Sequence, residues 1–152
     1  MIFKSKTVND TYHLAKLLAT YLPMGSIVLL DGDLGAGKTT FVKGFALAKG
    51  IQENITSPTF TILKTYSFSP QNLLVHIDAY RLENSSFDEL EEFVHPDNLL
   101  FIEWSNYLKN QELIQENLSI HIRYLSKNQR EFSFIAHGKQ YQDVLKKVFA
   151  NV

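Results

Sequence analysis

The sequence predicts an α/β fold: a central, largely parallel sheet flanked by helices and finished by an antiparallel carboxy-terminal hairpin. Three observations carry that expectation. The run Ser26-Ile27-Val28-Leu29-Leu30-Asp31 is short, apolar and rich in β-branched residues, and a glycine-rich stretch separates it from a helical pattern. Two further apolar runs, 73–80 and 99–104, alternate with other elements as the strands of a parallel sheet do. Near the end, 118–125 and 131–137 alternate with period two around the polar turn Ser126-Lys127-Asn128-Gln129-Arg130, which reads as a hairpin.

In chain order, Leu14, Leu17, Leu18 and Tyr21 share one helical face, so an amphipathic helix is expected over residues 10–22, ended by Pro23 and Gly25. The buried strand over 26–31 follows. From Thr40 to Lys49 the residues Phe41, Val42, Phe45 and Leu47 recur among small and polar ones and the pattern stops near Gly50, as a helix would. An extended segment is expected over 59–68, then the strand over 73–80. The acidic run Asp88-Glu89-Leu90-Glu91-Glu92 reads as a solvated helix, with a charged docking surface for a partner protein as the alternative. A last helix places Tyr141, Val144, Leu145, Val148 and Phe149 on one face. These stripes are core packing and need no cofactor to explain them.

The 152 residues fit one domain, 1–152, with a real core. Hydrophobic residues make up 45% and charged residues 20%, which separates the chain from disordered compositions. It has no cysteine, so disulfide scaffolds, cysteine zinc sites and thiol catalysis are excluded, compatible with a cytoplasmic setting. No run approaches membrane-spanning length and the first residues lack a secretory pattern, so no membrane partner is expected. A formal net charge of −1 and the absence of a basic cluster beyond Lys146 and Lys147 argue against direct grip on nucleic acid.

The chemistry concentrates at Gly32 to Thr39, which reads Gly-Asp-Leu-Gly-Ala-Gly-Lys-Thr, a full phosphate-binding loop pattern between the expected strand and helix. That context makes the expected fold a P-loop NTPase-like three-layer sandwich. Glycines let successive backbone N–H groups curl around phosphates, so Leu34, Gly35, Ala36, Gly37, Lys38, Thr39 and Thr40 form the expected nucleotide cradle. Lys38 would reach the β- and γ-phosphates and Thr39 would hold Mg²⁺. The expected ligand is a magnesium nucleoside triphosphate.

Two acids end apolar strands. Along 73–80 the alternation puts His76, Asp78 and Tyr80 on one face and Val75, Ile77 and Ala79 on the other, and Asp78 is a candidate to serve the metal or orient the attacking water. His76 reads more simply as a packing and orienting imidazole. Glu103 ends the run 99–102 and makes the same case for the Mg²⁺ shell. Two carboxylates in one cleft repel unless a cation stabilises both. Trp104 reads first as core, with site wall and partner contact as alternatives. Ser57-Pro58-Thr59-Phe60 can be a switch that senses the γ-phosphate or an ordinary turn into a strand.

Gly-Asp-Leu-Gly-Ala-Gly-Lys-Thr-Thr at 32–40, Ser-Pro-Thr-Phe at 57–60, His-Ile-Asp-Ala-Tyr-Arg-Leu at 76–82 and Ile-Glu-Trp at 102–104 occur together and in order. In this the chain closely resembles the bacterial TsaE (YjeE) family, from the first helix through the final hairpin; the last helix matches only in pattern. The resemblance implies a small ATPase that supports formation of N6-threonylcarbamoyladenosine at position 37 of tRNAs reading ANN codons. It implies partners TsaD, which carries the transferase site, and TsaB, with TsaC supplying the activated adenylate and tRNA engaged only indirectly. By motif match Lys38 would bind phosphate, Thr39 and Glu103 would hold Mg²⁺, Asp78 would be needed for hydrolysis, and Ser57 to Phe60 would be the switch-like segment. Arg130 aligns with a family arginine near the nucleotide. Turnover in isolation is expected to be slow, since Arg81 is only a candidate transition-state finger.

Two other readings stay open beside this one. A small-molecule kinase shares the loop but needs an acceptor, a lid and extra arginines. A non-catalytic, ATP-gated binding module needs only the loop and the acids. A GTPase is disfavoured because no Asn/Thr-Lys-x-Asp guanine-reading pattern occurs.

Overall fold

The apolar run behind the first helix becomes the middle of a broad sheet in the computed structural model, which describes residues 1–33 and 35–152. Among the described residues seven strands, β1 (Ile2–Ser5), β2 (Ile27–Gly32), β3 (Leu63–Ser67), β4 (Leu73–Asp78), β5 (Asn98–Glu103), β6 (Asn117–Ser126) and β7 (Gln129–His137), form one sheet. Their spatial order is β1-β7-β6-β2-β5-β4-β3. The central strands β6, β2, β5 and β4 run parallel, while β7 and β1 close one edge and β3 the other in antiparallel pairing. Loops at the carboxyl ends of β2, β5 and β4 therefore gather at one crevice, where open α/β sheets bind ligands.

Helices α1 (Val8–Tyr21), α2 (Lys38–Ala48) and α4 (Lys139–Asn151) pack on one face over Val28, Leu118 and Phe134. The other face is thinner. The four-residue helix α3 (Leu90–Phe93) and short 3-10 turns cover Ile27, Val75, Ile77, Leu100 and Ile102, while Ile2 and Ile135 at the β1–β7 end are each 60% exposed. Phe45 of α2 meets Phe101 of β5 with ring centroids 4.7 Å apart, and Phe41 meets Phe132 of β7 at 5.6 Å. Both phenylalanines of α2 are fully buried. Removing such a ring costs about 3–5 kcal/mol, so the helix behind the phosphate loop is fastened to the strand that carries Glu103.

Four local differences from expectation have physical causes. Helix α1 begins at Val8, two residues earlier than expected, because the Thr7 hydroxyl accepts the Asp10 N–H at 3.1 Å while the Asp10 carboxylate accepts the Lys6 N–H at 2.8 Å. β1 was not expected at all. Its four residues are too few to show a period, and it exists by pairing with β7, Phe3 opposite Phe132. The extended segment expected over 59–68 is a strand only from Leu63, since the Ile62 N–H closes back on the Pro58 carbonyl at 2.7 Å. The acidic run yields one helical turn, with Leu90 buried and Glu91 and Glu92 in solvent. No helix among the described residues is long and apolar enough to cross a membrane.

Candidate functional site

β2 ends at Gly32, whose φ of +151° and position beside β6 exclude a side chain: a Cβ there would lie 2.5 Å from the Ile122 carbonyl oxygen. The chain turns into α2 through Gly37 at φ +112°, with no side-chain cap on the helix. The first N–H groups of α2 therefore lack intrahelical partners and can take an anion. Leu34, expected in this cradle, lies outside the described residues. Ala36 is 1% exposed, with its methyl in the core and its N–H donated to the Asp33 carbonyl at 3.0 Å. The Lys38 ammonium bonds the Gly32 carbonyl and lies 3.7 Å from Glu103 Oε1.

The sheet register brings the two acids together. Leu30 of β2 pairs with Glu103 of β5, and Glu103 pairs with Asp78 of β4. Each acid is 4% exposed. Asp78 Oδ1 accepts the Tyr80 N–H at 3.0 Å and Oδ2 accepts the Thr59 hydroxyl at 3.1 Å; Thr59 in turn bonds the Ser57 hydroxyl at 2.7 Å. Glu103 Oε2 lies 2.7 Å from His76 Nε2. His76 and Asp78 share a face as the alternation implied, but the strand stops at Asp78 and Tyr80 enters a 3-10 turn instead of continuing it.

The switch candidate is a closed loop under constraint. Ile62 stands at φ +69°, a left-handed conformation that a β-branched residue seldom adopts, and its carbonyl accepts the Asp78 N–H at 2.8 Å. Trp104, at φ +59°, meets the Tyr80 ring edge-on at 5.0 Å and the Tyr107 ring at a tilt at 5.1 Å. It packs against the thinner core while also walling the site, so both of those readings apply to it.

One cavity of about 620 Å³ collects Gly35, Gly37, Lys38, Thr39, Thr40, Ser57, Thr59, Asp78, Glu103 and Arg130. Arg130 reaches it from the hairpin turn, its guanidinium donating to the Ser126 carbonyl at 2.7 Å and the Gln129 carbonyl at 3.0 Å and lying 4.5 Å from the centre of the Tyr124 ring. Arg81 stays outside, exposed and stacked on Phe60 at 4.9 Å. A smaller recess adjoins the cavity and shares Gly37, Thr40 and Arg130 with it; above Thr11 and Phe132 it is bounded by Thr7, Val8, Lys127 and Asn128. Sequence reasoning missed these four residues. They meet only because β1 pairs with β7, which sets the start of α1 beside the hairpin turn.

The oxygen donors of Thr39, Asp78 and Glu103 fit a hard cation such as Mg²⁺. Among the described residues no three His, Asp or Glu side chains form a cage. Mg²⁺ is usually held by one or two carboxylates together with substrate phosphates and water, so this donor set suits it.

The model of the family "Threonylcarbamoyl adenosine biosynthesis protein TsaE" matches residues 5–132. The tRNA threonylcarbamoyladenosine biosynthesis protein TsaE of Bacillus subtilis (strain 168) is 43% identical over 142 residues, 91% of this chain and 89% of that protein. That of Treponema pallidum (strain Nichols) is 39% identical over 132 residues, 85% of this chain and 96% of that protein. The crystal structure of Bacillus subtilis YdiB superposes with a TM-score of 0.81 at 33% identity, covering 99% of this chain and 94% of that one.

Proposed function

Because this chain belongs to the TsaE family of threonylcarbamoyl adenosine biosynthesis proteins, we propose that it binds ATP with Mg²⁺ and hydrolyses it to support threonylcarbamoyladenosine formation on tRNA, acting through a TsaD–TsaB complex. The observation that carries this reading is the single cavity that joins the phosphate loop, two strand-end acids and a constrained switch segment.

In this reading the backbone N–H groups of residues 35–40 hold the phosphates. Lys38 leaves the Gly32 carbonyl for the β- and γ-phosphate oxygens, and Thr39 and Glu103 hold the metal. Bound Mg²⁺ supplies charge neutralisation on the phosphate oxygens. Asp78, freed from Thr59, accepts a hydrogen bond from the attacking water and aligns it with the γ-phosphorus. Arg130 contributes charge at the mouth, and the adjoining recess at Thr7, Val8, Lys127 and Asn128, which shares Gly37 and Thr40 with the cavity, is our candidate to take the base. The net charge of −1 suits action on a protein complex, with tRNA reached indirectly.

Turnover by the isolated chain is expected to be slow, since Arg81 stands away from the cavity on Phe60 and nothing else supplies a free arginine finger by motif. Phosphate release measured with and without TsaD and TsaB tests this, with a large stimulation expected. An isolated protein that hydrolyses ATP as fast as the complex contradicts it. A reading as an ATP-gated module without turnover draws on one observation: both carboxylate oxygens of Asp78 are already engaged within the chain. Absence of phosphate release even with both partners present would favour it.

A further inference from the structure

His76 lies in the middle of β4 and is 0% exposed. The parallel register sets it opposite Phe101 and sets Asp78 opposite Glu103, so the imidazole reaches diagonally across the sheet to Glu103. Its Nε2 is 2.7 Å from Oε2 of that carboxylate, and its Nδ1 has no partner although it is buried. These two facts favour one tautomer of the neutral ring. A hydrogen on Nδ1 would be a buried donor with nothing to meet, whereas a bare Nδ1 lone pair is the milder loss, so the hydrogen belongs on Nε2 and is donated to Glu103.

We infer that His76 is a positioning residue that clamps Oε2 of Glu103 and thereby aims Oε1 at the cavity, where Lys38 waits 3.7 Å away. The inference rests on the reading of Glu103 as a holder of Mg²⁺. A buried imidazole with one unsatisfied nitrogen is a poor way to fill a core that Leu or Phe would fill without the loss. Its use is the orientation of a ligand carboxylate, the task that hydrogen-bonding partners perform around metal sites. His76 is fully buried and does not line the cavity that Glu103 lines, so its effect is exerted through Glu103.

The test compares His76→Gln, whose amide nitrogen comes near the place of Nε2, with His76→Asn, whose amide reaches only the place of Nδ1. Binding of a non-hydrolysable ATP analogue is measured in Mg²⁺ and in EDTA. His76→Asn is expected to weaken binding in Mg²⁺ by about tenfold or more and to leave binding in EDTA unchanged, while His76→Gln restores most of the loss. Wild-type binding by His76→Asn in Mg²⁺, or an equal loss by both variants in Mg²⁺ and EDTA, overturns the inference. Glu103→Gln is the control. If it keeps full binding in Mg²⁺, the reading of Glu103 fails and the role of His76 with it; if it loses that binding while His76→Asn does not, the role of His76 alone fails. Should His76→Asn not fold, the tautomer in the intact protein decides: long-range proton–nitrogen NMR is expected to place the hydrogen of a neutral His76 on Nε2, and a hydrogen on Nδ1 overturns the inference.

Discussion

Asp78 and Glu103 occupy matching positions at the ends of neighbouring parallel strands and are equally buried, yet they are held by different parts of the molecule. Glu103 is tied to the core through His76, and its strand is packed against α2 by Phe101. Asp78 is tied to the surface segment that carries Ser57 and Thr59, and to the turn that begins at Ala79. A group wired to the core keeps its place when ligand arrives, whereas one wired to a loop moves with the loop. Under the proposed function, this difference suits Glu103 to the fixed task of holding metal and Asp78 to the conditional task of serving hydrolysis.

The most direct way to break this contrast is to exchange the two phenotypes. Asp78→Asn is expected to cut phosphate release in the presence of TsaD and TsaB by about 10²–10⁴-fold, the range for losing a positioned proton acceptor, with little change in ATP affinity. Glu103→Gln is expected to show its main loss in affinity, about 10-fold or more and only in Mg²⁺. Single-turnover rates and calorimetric titrations separate these effects, and the same pattern in both variants would dissolve the contrast. A smaller effect sharpens it. Thr59→Val removes one hydrogen bond to Asp78 from the loop side, so thermal unfolding should report a loss of about 1 kcal/mol or less for a half-exposed hydroxyl, together with altered turnover. A loss as large as that caused by a fully buried core substitution would place Thr59 in the scaffold instead of the switch.

These assignments were only partly legible in the sequence. Ser26 to Asp31, the glycines that follow and the pattern from Phe41 to Leu47 sit close together in the chain, so strand, loop and helix could be read locally. Asp78 and Glu103 were visible because a carboxylate at the end of an apolar run is conspicuous. Their neighbours were not. The bond from His76 to Glu103 depends on β4 pairing with β5 in one register, and no local pattern encodes that offset. The left-handed Ile62 closes a turn where β-branched residues suggest extension, because a turn bond to Pro58 and a tertiary bond to Asp78 override propensity. Thr7 and Lys127 stand more than a hundred positions apart and meet through a strand of four residues.

A structure with a non-hydrolysable ATP analogue and Mg²⁺ tests the central claim most directly. The account predicts phosphates on the N–H groups of residues 35–40, Mg²⁺ held on the side of Thr39 and Glu103, the bond from His76 to Glu103 intact, and Asp78 released from Thr59 to face the γ-phosphate. Mg²⁺ held by Asp78 with Glu103 turned away, or phosphates seated outside the loop, would contradict it.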